Sequence, residues 1–278
     1  MRHAMRLVIL SPATDLKPLV AGYCLCEDLD GEMAGGLVQA GPQLGAVLCL
    51  QLADDVVTDF RDPRPLVSFA GLQSGVRSYQ PVGASRSLIV FFTDLGSLRL
   101  FPFAGAEAFD TGHDVAGLIG DGPALRMRAA LASSPDDALA LELDAILRAR
   151  FAAHPMTPQF ARLARAMGLL SDSFARISET ADAVGLSVRQ VERGFHAHLG
   201  LSPKRFQQLH RLHASLKAAL TGGGDPVDGY ADQAHQIRAW NRYLGFTPGA
   251  MRRCGPTAIG RLFAREASTH GYARAHYL

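Results

Sequence analysis

The sequence predicts a mixed α+β chain, in which a β-rich half is followed by helices and then by an all-helical half. Short apolar runs recur between turn residues as far as residue 94, and helical periodicity replaces them from about residue 98. The charge also changes: residues 1–149 hold 11 Lys+Arg and 18 Asp+Glu, a net −7, whereas residues 150–278 hold 17 and 8, a net +9. We therefore expect two domains, 1–153 and 154–278, the second facing a polyanion.

Seven apolar runs of strand length lie in the first half, separated by Gly, Pro, Asp and Ser. Their regular spacing without intervening helices favours a small barrel or a sandwich. Apolar residues three and four apart then predict helices from about residue 98, over 124–132 and over 137–151. The predicted strands are 7–10, 22–26, 46–52, 55–60, 66–71, 78–83 and 87–94.

Composition argues against several classes of protein. The mean hydropathy is +0.07 and no apolar run approaches the ~18 residues that span a bilayer, so we expect no membrane partner. The apolar stretch within the first ten residues is too short for a signal peptide. Four cysteines in 278 residues do not form a disulfide scaffold. A reduced, cytoplasmic location is the natural interpretation.

The β-rich half lacks the residues of a metal enzyme. His3 and His113 are its only histidines, and Cys24, Cys26 and Cys49 are best explained as small buried hydrophobic residues. Nucleophile-elbow, Walker, zinc-protease and dinucleotide motifs are absent. We therefore expect no metal, no cofactor and no enzymatic activity.

The second half has a continuous series of helix signals after the linker HPMTP (154–158). Each predicted helix opens at a capping residue or at a proline, and glycines follow several of them. Ser187 and Gln190 have the spacing of a capping box. The predicted helices are 158–168, 173–184, 187–198, 203–220, 231–244, a short turn from Pro248, and 258–267.

Residues 177–198 have the pattern of a helix-turn-helix. Gly185 lies where the first helix must stop and the chain reverse, and Leu186 can fill the junction. An apolar stripe is expected on each helix, formed by Ile177, Ala181 and Val184 and then by Val188, Val191 and Phe195.

The other face of helix 187–198 is polar and basic. Arg189, Arg193 and His196 share this face at i, i+4 and i+7, together with Gln190 and Glu192. An arginine can donate two hydrogen bonds to a guanine and a glutamate can accept one from a cytosine, so this helix suits a DNA major groove.

The region 160–253 resembles the AraC family of bacterial transcription regulators. The resemblance rests on the I-x-x-x-A-x-x-V-G-L-S-x-R-Q-x-E-R-x-F pattern, the LGLSPKRF link (199–206) and the GYADQAH…IR…LGFTPGAMRR end (229–253). It implies two helix-turn-helix units joined by a long helix. Each unit would place one recognition helix in successive segments of the major groove of double-stranded DNA.

The resemblance also implies a set of DNA-binding residues. Base-reading positions match Arg189, Glu192 and Arg193 in the first unit and Gln233, Ala234 and Arg238 in the second. Positions near the DNA backbone match Ser202, Lys204, Arg205, Thr247, Arg252 and Arg253. Ser187, Gln190 and His196 complete the expected interface on the first recognition helix. The helices opened by Pro203 and Pro248 have free N–H groups that suit a phosphate.

The first half is similar to the sensor domain found in one branch of the same family. The string FFTDLGSLRLF (91–101) and the sequence to about residue 150 carry this resemblance. It implies a cupin-like β-barrel followed by helices, which would bind a small-molecule effector and form a homodimer.

The second unit departs from the family pattern. Only TGGGDPVD (221–228) stands where the family has a further helix, so the second unit is expected to be incomplete. Gln236 occupies a position that is usually large and apolar, and we expect nothing to pack against it. Helix 231–244 should then lack a wall, which helix 258–267 or a partner subunit would supply; the alternative is that the long helix alone covers it.

These observations favour a ligand-responsive, sequence-specific transcription regulator. The alternative is a degenerate family member that acts as a ligand-binding or protein-interaction module with weak or no specific DNA binding. A small-molecule enzyme built on the barrel is a third reading, against which the missing histidines count.

Overall fold

The computed structural model describes a β-rich region followed by a helical region, and the predicted α+β class is confirmed. The described residues are 5–53, 56–58, 67–100, 105–115, 120–172, 175–221, 224–255 and 257–269. They include the strands β1 Arg6–Leu10, β2 Val20–Asp28, β3 Val38–Ala40, β4 Val47–Ala53, β5 Val56–Thr58, β6 Val67–Ala70, β7 Arg77–Pro81, β8 Ser85–Phe92 and β9 Gly112–Asp114.

Eleven helices are described in these ranges. Four belong to the β-rich region, and the remaining seven follow the linker. They are α1 Asp94–Leu100, α2 Gly105–Ala108, α3 Asp121–Ser133, α4 Asp136–Ala152, α5 Pro158–Asp172, α6 Ile177–Ala183, α7 Val188–Leu199, α8 Pro203–Thr221, α9 Gln233–Leu244, α10 Pro248–Cys254 and α11 Ala258–Thr269. Within the described ranges, no helix combines the length and the apolarity that crossing a membrane requires.

The strands form two antiparallel sheets. The larger has six strands in the order β1-β2-β8-β4-β6-β9, and the smaller has three in the order β3-β7-β5. Cys24 of β2 and Cys49 of β4 are both paired with Ile89 of the central strand β8, so the three side chains share one face. In the described residues the two sheets do not join into a closed barrel, so the predicted barrel is a loose one.

Different elements pack against the two faces of the large sheet. On one face, Leu25, Leu48 and Leu88 pack with Leu139 and Leu143 of α4 in a core that residues of α3 also join. The alternation of inward and outward residues along each strand produces this two-sided burial.

On the opposite face, Cys24, Cys49 and Ile89 pack with Val38 of the small sheet and with Phe263 of α11. The ring of Phe263 lies edge-on to that of Phe91, with centroids 5.9 Å apart. The helix that follows the whole helical region thus returns to the sheet.

This position of α11 contradicts one expectation. The sequence suggested that this helix would dock beside helix 231–244, but Ile259 and Phe263 are buried on the sheet instead, 5% and 2% exposed. The physical reason is that the wall beside α9 is already filled, as described below. Burial of the Phe263 side chain on the sheet stabilises the folded protein by about 2–3 kcal/mol.

Most predicted elements match observed ones. Each of the seven predicted strands overlaps a described strand, although residues 55, 59, 60 and 66 lie outside the described ranges. The short strands β3 and β9 and the four-residue helix α2 were not predicted. Helix α6 begins at Ile177, and residues 173 and 174 of its predicted start also lie outside the described ranges.

Candidate nucleic-acid interface

The first helix-turn-helix consists of α6, a tight turn and α7. Gly185 has φ +66°, the left-handed conformation that this turn needs. The N–H of Leu186 donates to the carbonyl of Ala181 at 3.0 Å and closes the turn. Val191 and Phe195 are buried, and the Phe195 ring lies edge-on to Phe206 of α8 with centroids 5.4 Å apart. The scaffold of this unit is therefore complete and apolar.

The start of α7 is fixed by the predicted capping box. The Ser187 hydroxyl accepts from the N–H of Gln190 at 3.3 Å, and Oε1 of Gln190 accepts from the N–H of Ser187 at 2.8 Å. The side chain of Gln190 therefore holds the helix terminus. Its amide oxygen is already engaged, which leaves the amide NH₂ for an external partner.

The outer face of α7 presents four exposed side chains, those of Arg189, Glu192, Arg193 and His196. None of the four makes a hydrogen bond or an ion pair with another described residue. Val188 was expected to point inward, but it is 39% exposed. Val188 is the first residue of α7 and precedes the helical turn that packs on α6. Its side chain therefore lies on the outer face.

The second recognition helix, α9, has a parallel design. Asp232 caps it by accepting from the N–H of His235 at 2.6 Å, and Gly245, with φ +78°, ends it as Gly200, with φ +75°, ends α7. Gln233, Ala234 and Arg238 are exposed. The positions that were predicted to read bases in the second unit therefore face outward as well.

The support behind α9 differs from the expectation. Residues 226–229 form a turn in place of a helix, and Gln236, expected to face nothing, is only 2% exposed. Its amide donates to the Ser215 hydroxyl at 3.1 Å and to the carbonyl of Pro226 at 2.6 Å. The polar side chain is buried because both hydrogen bonds compensate for lost water.

The same serine also holds the single tryptophan of the chain. Trp240 is fully buried, and its Nε1–H donates to the Ser215 hydroxyl at 3.0 Å. The Ser215 hydroxyl in turn donates to the carbonyl of Pro226. The long helix and a hydrogen-bonded turn thus cover the stripe of α9 together, whereas the alternative expectation had the long helix alone and a loose tail helix.

The residues that were expected to lie near the DNA backbone have different environments in the structure. Ser202 caps α8 and Thr247 caps α10, each accepting an N–H, from Arg205 at 3.2 Å and from Ala250 at 3.0 Å. Lys204 is exposed near the start of α8, and Arg252 and Arg253 are exposed in the last turn of α10. These three cations can reach solvent.

Arg205 is engaged by the β-rich region. Its Nη2 donates to the Ser74 hydroxyl at 2.8 Å and lies 3.7 Å from Oδ2 of Asp110, and its guanidinium carbon lies 4.9 Å from the Phe109 ring centre. Asp110 itself adopts φ +56°, a conformation that non-glycine residues rarely take. In this conformation of the protein the Arg205 guanidinium is held against the β-rich region, with its side chain 39% exposed.

Further contacts join the two regions. Leu44, Leu72 and Leu98 of the β-rich region belong to the same apolar cluster as Val191 and Phe195. A tight backbone contact adds to them: a Cβ on Gly105 of α2 would lie 1.6 Å from the carbonyl oxygen of His198 in α7. The C-terminal end of the first recognition helix therefore abuts the β-rich region, while its N-terminal end projects outward.

A cavity of about 100 Å³ lies between the two sheets under α11. Its lining is mainly apolar and includes Ile259 of α11, Cys26 and Cys49. Burial raises the pKa of the Cys26 thiol to about 12, so this thiol stays protonated at neutral pH.

Two polar side chains of this cavity are nearly buried. The carboxylate of Asp28 accepts the N–H groups of Glu32 and Met33 at 2.7 and 2.8 Å, whereas the side-chain amide of Gln51 makes no hydrogen bond to another described residue. The cavity therefore offers a small apolar volume with one unused amide.

The sequence did not reveal Ser215, Asp110 and Asp232 as contributors. Asp232 has a local signal, because it is a capping residue type directly before an amphipathic run. Ser215 and Asp110 act through partners distant in sequence, for which the sequence offers no local signal.

One comparison with known protein families matches this part of the chain. Residues 180–254 match a family model described as a helix-turn-helix domain, HTH_18. No curated protein matches the sequence.

Solved structures give distant likenesses. ToxT from Vibrio cholerae shares 6% identity over 81% of this chain and 97% of that chain, with a TM-score of 0.46. A form of ToxT with an unsaturated fatty acid bound shares 8% over 86% and 95%, with a TM-score of 0.46. The AraC-like transcriptional activator CuxR shares 14% over 68% and 72%, with a TM-score of 0.22. The family model that describes a helix-turn-helix domain thus covers residues 180–254, the part of the chain that carries both predicted recognition helices.

Proposed function

We propose that this protein is a sequence-specific DNA-binding transcription regulator in which α7 is the main reading element. The observation that carries the proposal is the outer face of α7. It presents two arginines and a glutamate without intramolecular partners among the described residues, on a fully packed scaffold within an AraC-type domain.

The geometry suits entry into a major groove. A recognition helix contacts bases with its N-terminal residues, and this is the end of α7 that projects away from the β-rich region. Arg189 and Arg193 can each donate two hydrogen bonds to a guanine, and Glu192 can accept from a cytosine N4. Lys204 and the free N–H groups at the start of α8 suit the flanking phosphates.

The β-rich region is proposed as the effector-binding part, with the cavity under α11 as its site. The mainly apolar lining and the amide of Gln51 suit a small apolar ligand with one hydrogen-bonding group. The buried carboxylate of Asp28 disfavours an anionic ligand there. We place the boundary between the two parts at 153/154, with α11 returning across it.

A homodimer through α3 and α4 is part of the proposal. Leu125 of α3 and Leu141 of α4 are 59% and 68% exposed, which is unusual for leucines of amphipathic helices. If these leucines form the interface, Leu141→Asp should convert a dimer into a monomer in sedimentation equilibrium. An unchanged mass would exclude this face.

Arg193→Ala tests the DNA-reading role. We expect affinity for DNA of the protein's own promoter region to fall about 5- to 150-fold, because a bidentate arginine–guanine pair contributes ~1–3 kcal/mol. The measurement is a fluorescence-anisotropy titration of the full-length protein on cognate and scrambled duplexes at two salt concentrations.

Arg165→Ala is the matched control, since it removes the same charge from an exposed position on α5. An equal loss on both duplexes would mark Arg193 as a phosphate contact. No loss on either would contradict the assignment of α7.

The second candidate function is a ligand-binding or interaction module with weak DNA affinity, which the capture of Arg205 favours. Gly105→Ala separates the two candidates, because the new Cβ would meet the His198 carbonyl and force α2 away from α7. If the protein is a regulator and the contact between α2 and α7 weakens its DNA binding, the substitution should raise its affinity for DNA. A module without DNA function should gain no affinity.

A further inference from the structure

A basic pocket lies between α8 and α9, beside the turn that replaces a helix of the second unit. Its volume is about 260 Å³, and its walls include Arg211 of α8, Arg238 and Arg242 of α9, and Tyr230 of the turn segment. Gly229 precedes Tyr230 in this segment and has φ +85°.

The lining carries three positive charges and no carboxylate. Guanidinium groups bind phosphate through two parallel N–H donors, so three of them around one cavity define an anion-selective site. His235 adds a ring nitrogen to the same wall.

The site is built on fixed groups. Tyr243 forms its floor, 7% exposed, and its hydroxyl donates to Oε1 of Gln208 at 3.0 Å. The guanidinium carbon of Arg242 lies 5.5 Å from the Tyr243 ring centre, and Nη1 of Arg211 lies 3.5 Å from the carbonyl oxygen of Gly229. Burial raises the pKa of Tyr230 to about 12, so its phenol adds no negative charge at neutral pH.

The shape distinguishes between two sources of phosphate. Arg238 is exposed at the rim, where a DNA backbone can reach it, but Arg211 and Tyr243 lie deeper between the helices. A duplex presents its phosphates on a convex surface, whereas concave sites of this size suit small molecules. The depth therefore favours a free ligand over the DNA backbone.

We propose that this pocket binds a small phosphorylated molecule and that its occupation withdraws Arg238 from DNA. It forms a second effector site, separate from the cavity under α11 and opposite to it in charge preference. The binding step follows from the pocket alone, whereas the effect on DNA rests on the proposed function.

The test uses inorganic pyrophosphate as the probe and the full-length protein. Trp240, the single tryptophan, is on the helix that forms one wall, so its fluorescence reports binding, and calorimetry gives an independent value. Ionic strength is held constant, because screening alone weakens charged contacts. We expect saturable binding that falls at least tenfold in Arg211→Gln and is unchanged in Arg165→Gln.

DNA affinity is measured on the same variants. We expect Arg211→Gln to bind DNA within twofold of the parent without pyrophosphate, and to lose the inhibition that pyrophosphate exerts on the parent. Arg242→Gln provides a second variant at an exposed position if Arg211→Gln unfolds.

The other outcomes overturn either the binding step or the effect on DNA. Absence of saturable binding, or equal binding by Arg211→Gln and Arg165→Gln, would show that no built site exists. Parallel losses of pyrophosphate and DNA affinity would assign the pocket to the DNA backbone. If pyrophosphate binds as expected but neither the parent nor Arg193→Ala binds cognate DNA preferentially, the pocket stands and the proposed function fails.

Discussion

The two helix-turn-helix units share their boundaries and differ in their support. Each recognition helix begins at a capping side chain, ends at a left-handed glycine and is followed by a helix with proline at its first position. Behind α7 stands the helix α6, which contributes Ala181 and, in part, Ile177 to the shared apolar cluster. Behind α9 stands a turn joined to the long helix by Ser215 and Gln236.

The difference shows that directional hydrogen bonds can replace an apolar wall. Apolar packing stabilises in proportion to buried area and tolerates small shifts. A buried amide stabilises only while each of its partners is in place, because an unsatisfied polar group costs about 1–3 kcal/mol. The first unit should therefore tolerate small changes of shape, and the second should be sensitive to the loss of single atoms.

The largest change in stability is expected from a substitution in the core of the first unit. Phe195→Ala should lower the free energy of unfolding by about 3–5 kcal/mol, since it leaves a cavity between α7 and α8. Val188→Ala on the same helix is the control and should change it by less than about 0.5 kcal/mol, because this side chain is largely outside the core. Urea unfolding followed by circular dichroism measures both; similar values for the two would contradict the packing described.

Ser215→Ala removes the hydrogen bonds that support the second unit and leaves its apolar contacts in place. Trp240 loses its only described hydrogen-bond acceptor, and Gln236 loses one of two. We expect a loss of about 1–3 kcal/mol in the same unfolding experiment. Ala214→Ser, at the exposed neighbouring position, is the control. A cost below about 0.5 kcal/mol would mean that the network does not support α9.

Gln236→Leu sharpens the comparison by restoring an apolar residue. If the wall were apolar, leucine would stabilise the protein. Because the neighbours are the Ser215 hydroxyl and the Pro226 carbonyl, we expect destabilisation by about 1–2 kcal/mol. A double-mutant cycle with Ser215→Ala should show coupling, and strict additivity would refute a shared network.

The smallest expected effect concerns the two capping residues. Ser187 is neutral, whereas Asp232 places a negative charge at the helix end that would face phosphates. Asp232→Ser keeps a cap of similar strength and should raise DNA affinity up to about fivefold, in keeping with ~0.2–1 kcal/mol for an exposed charge contact. Ser187→Asp should lower it by a similar factor. Anisotropy titrations at low salt measure both; no change in either would place the helix ends away from the DNA.

The sequence predicted those features that depend on neighbouring residues. The bounds of α7 follow from the capping box, Gly185 and the apolar period, and the observed helix begins and ends within one residue of the prediction. The burial of Gln236 was missed because its partners come from the middle of another helix and from a turn carbonyl.

Two other features needed the structure for a related reason. The apolar residues of α11 indicate that one of its faces is buried, but they do not say against what. The capture of Arg205 depends on Asp110, 95 positions earlier in the chain. Periodicity reports the environment of a segment, and not the identity of its neighbour.

The return of α11 to the sheet has a consequence for motion. The helical region is anchored to the β-rich region at both of its ends, through the α4–α5 link and through Ile259 and Phe263, so it behaves as a closed loop and not as a domain on a single tether. Such a loop can rotate about the line between its two anchors once the contacts of Arg205 and of the shared apolar cluster are broken, but it cannot move far from that line. If the proposed function holds, both recognition helices would reach DNA by rotating together, and full separation of the two regions would require α11 to leave the sheet.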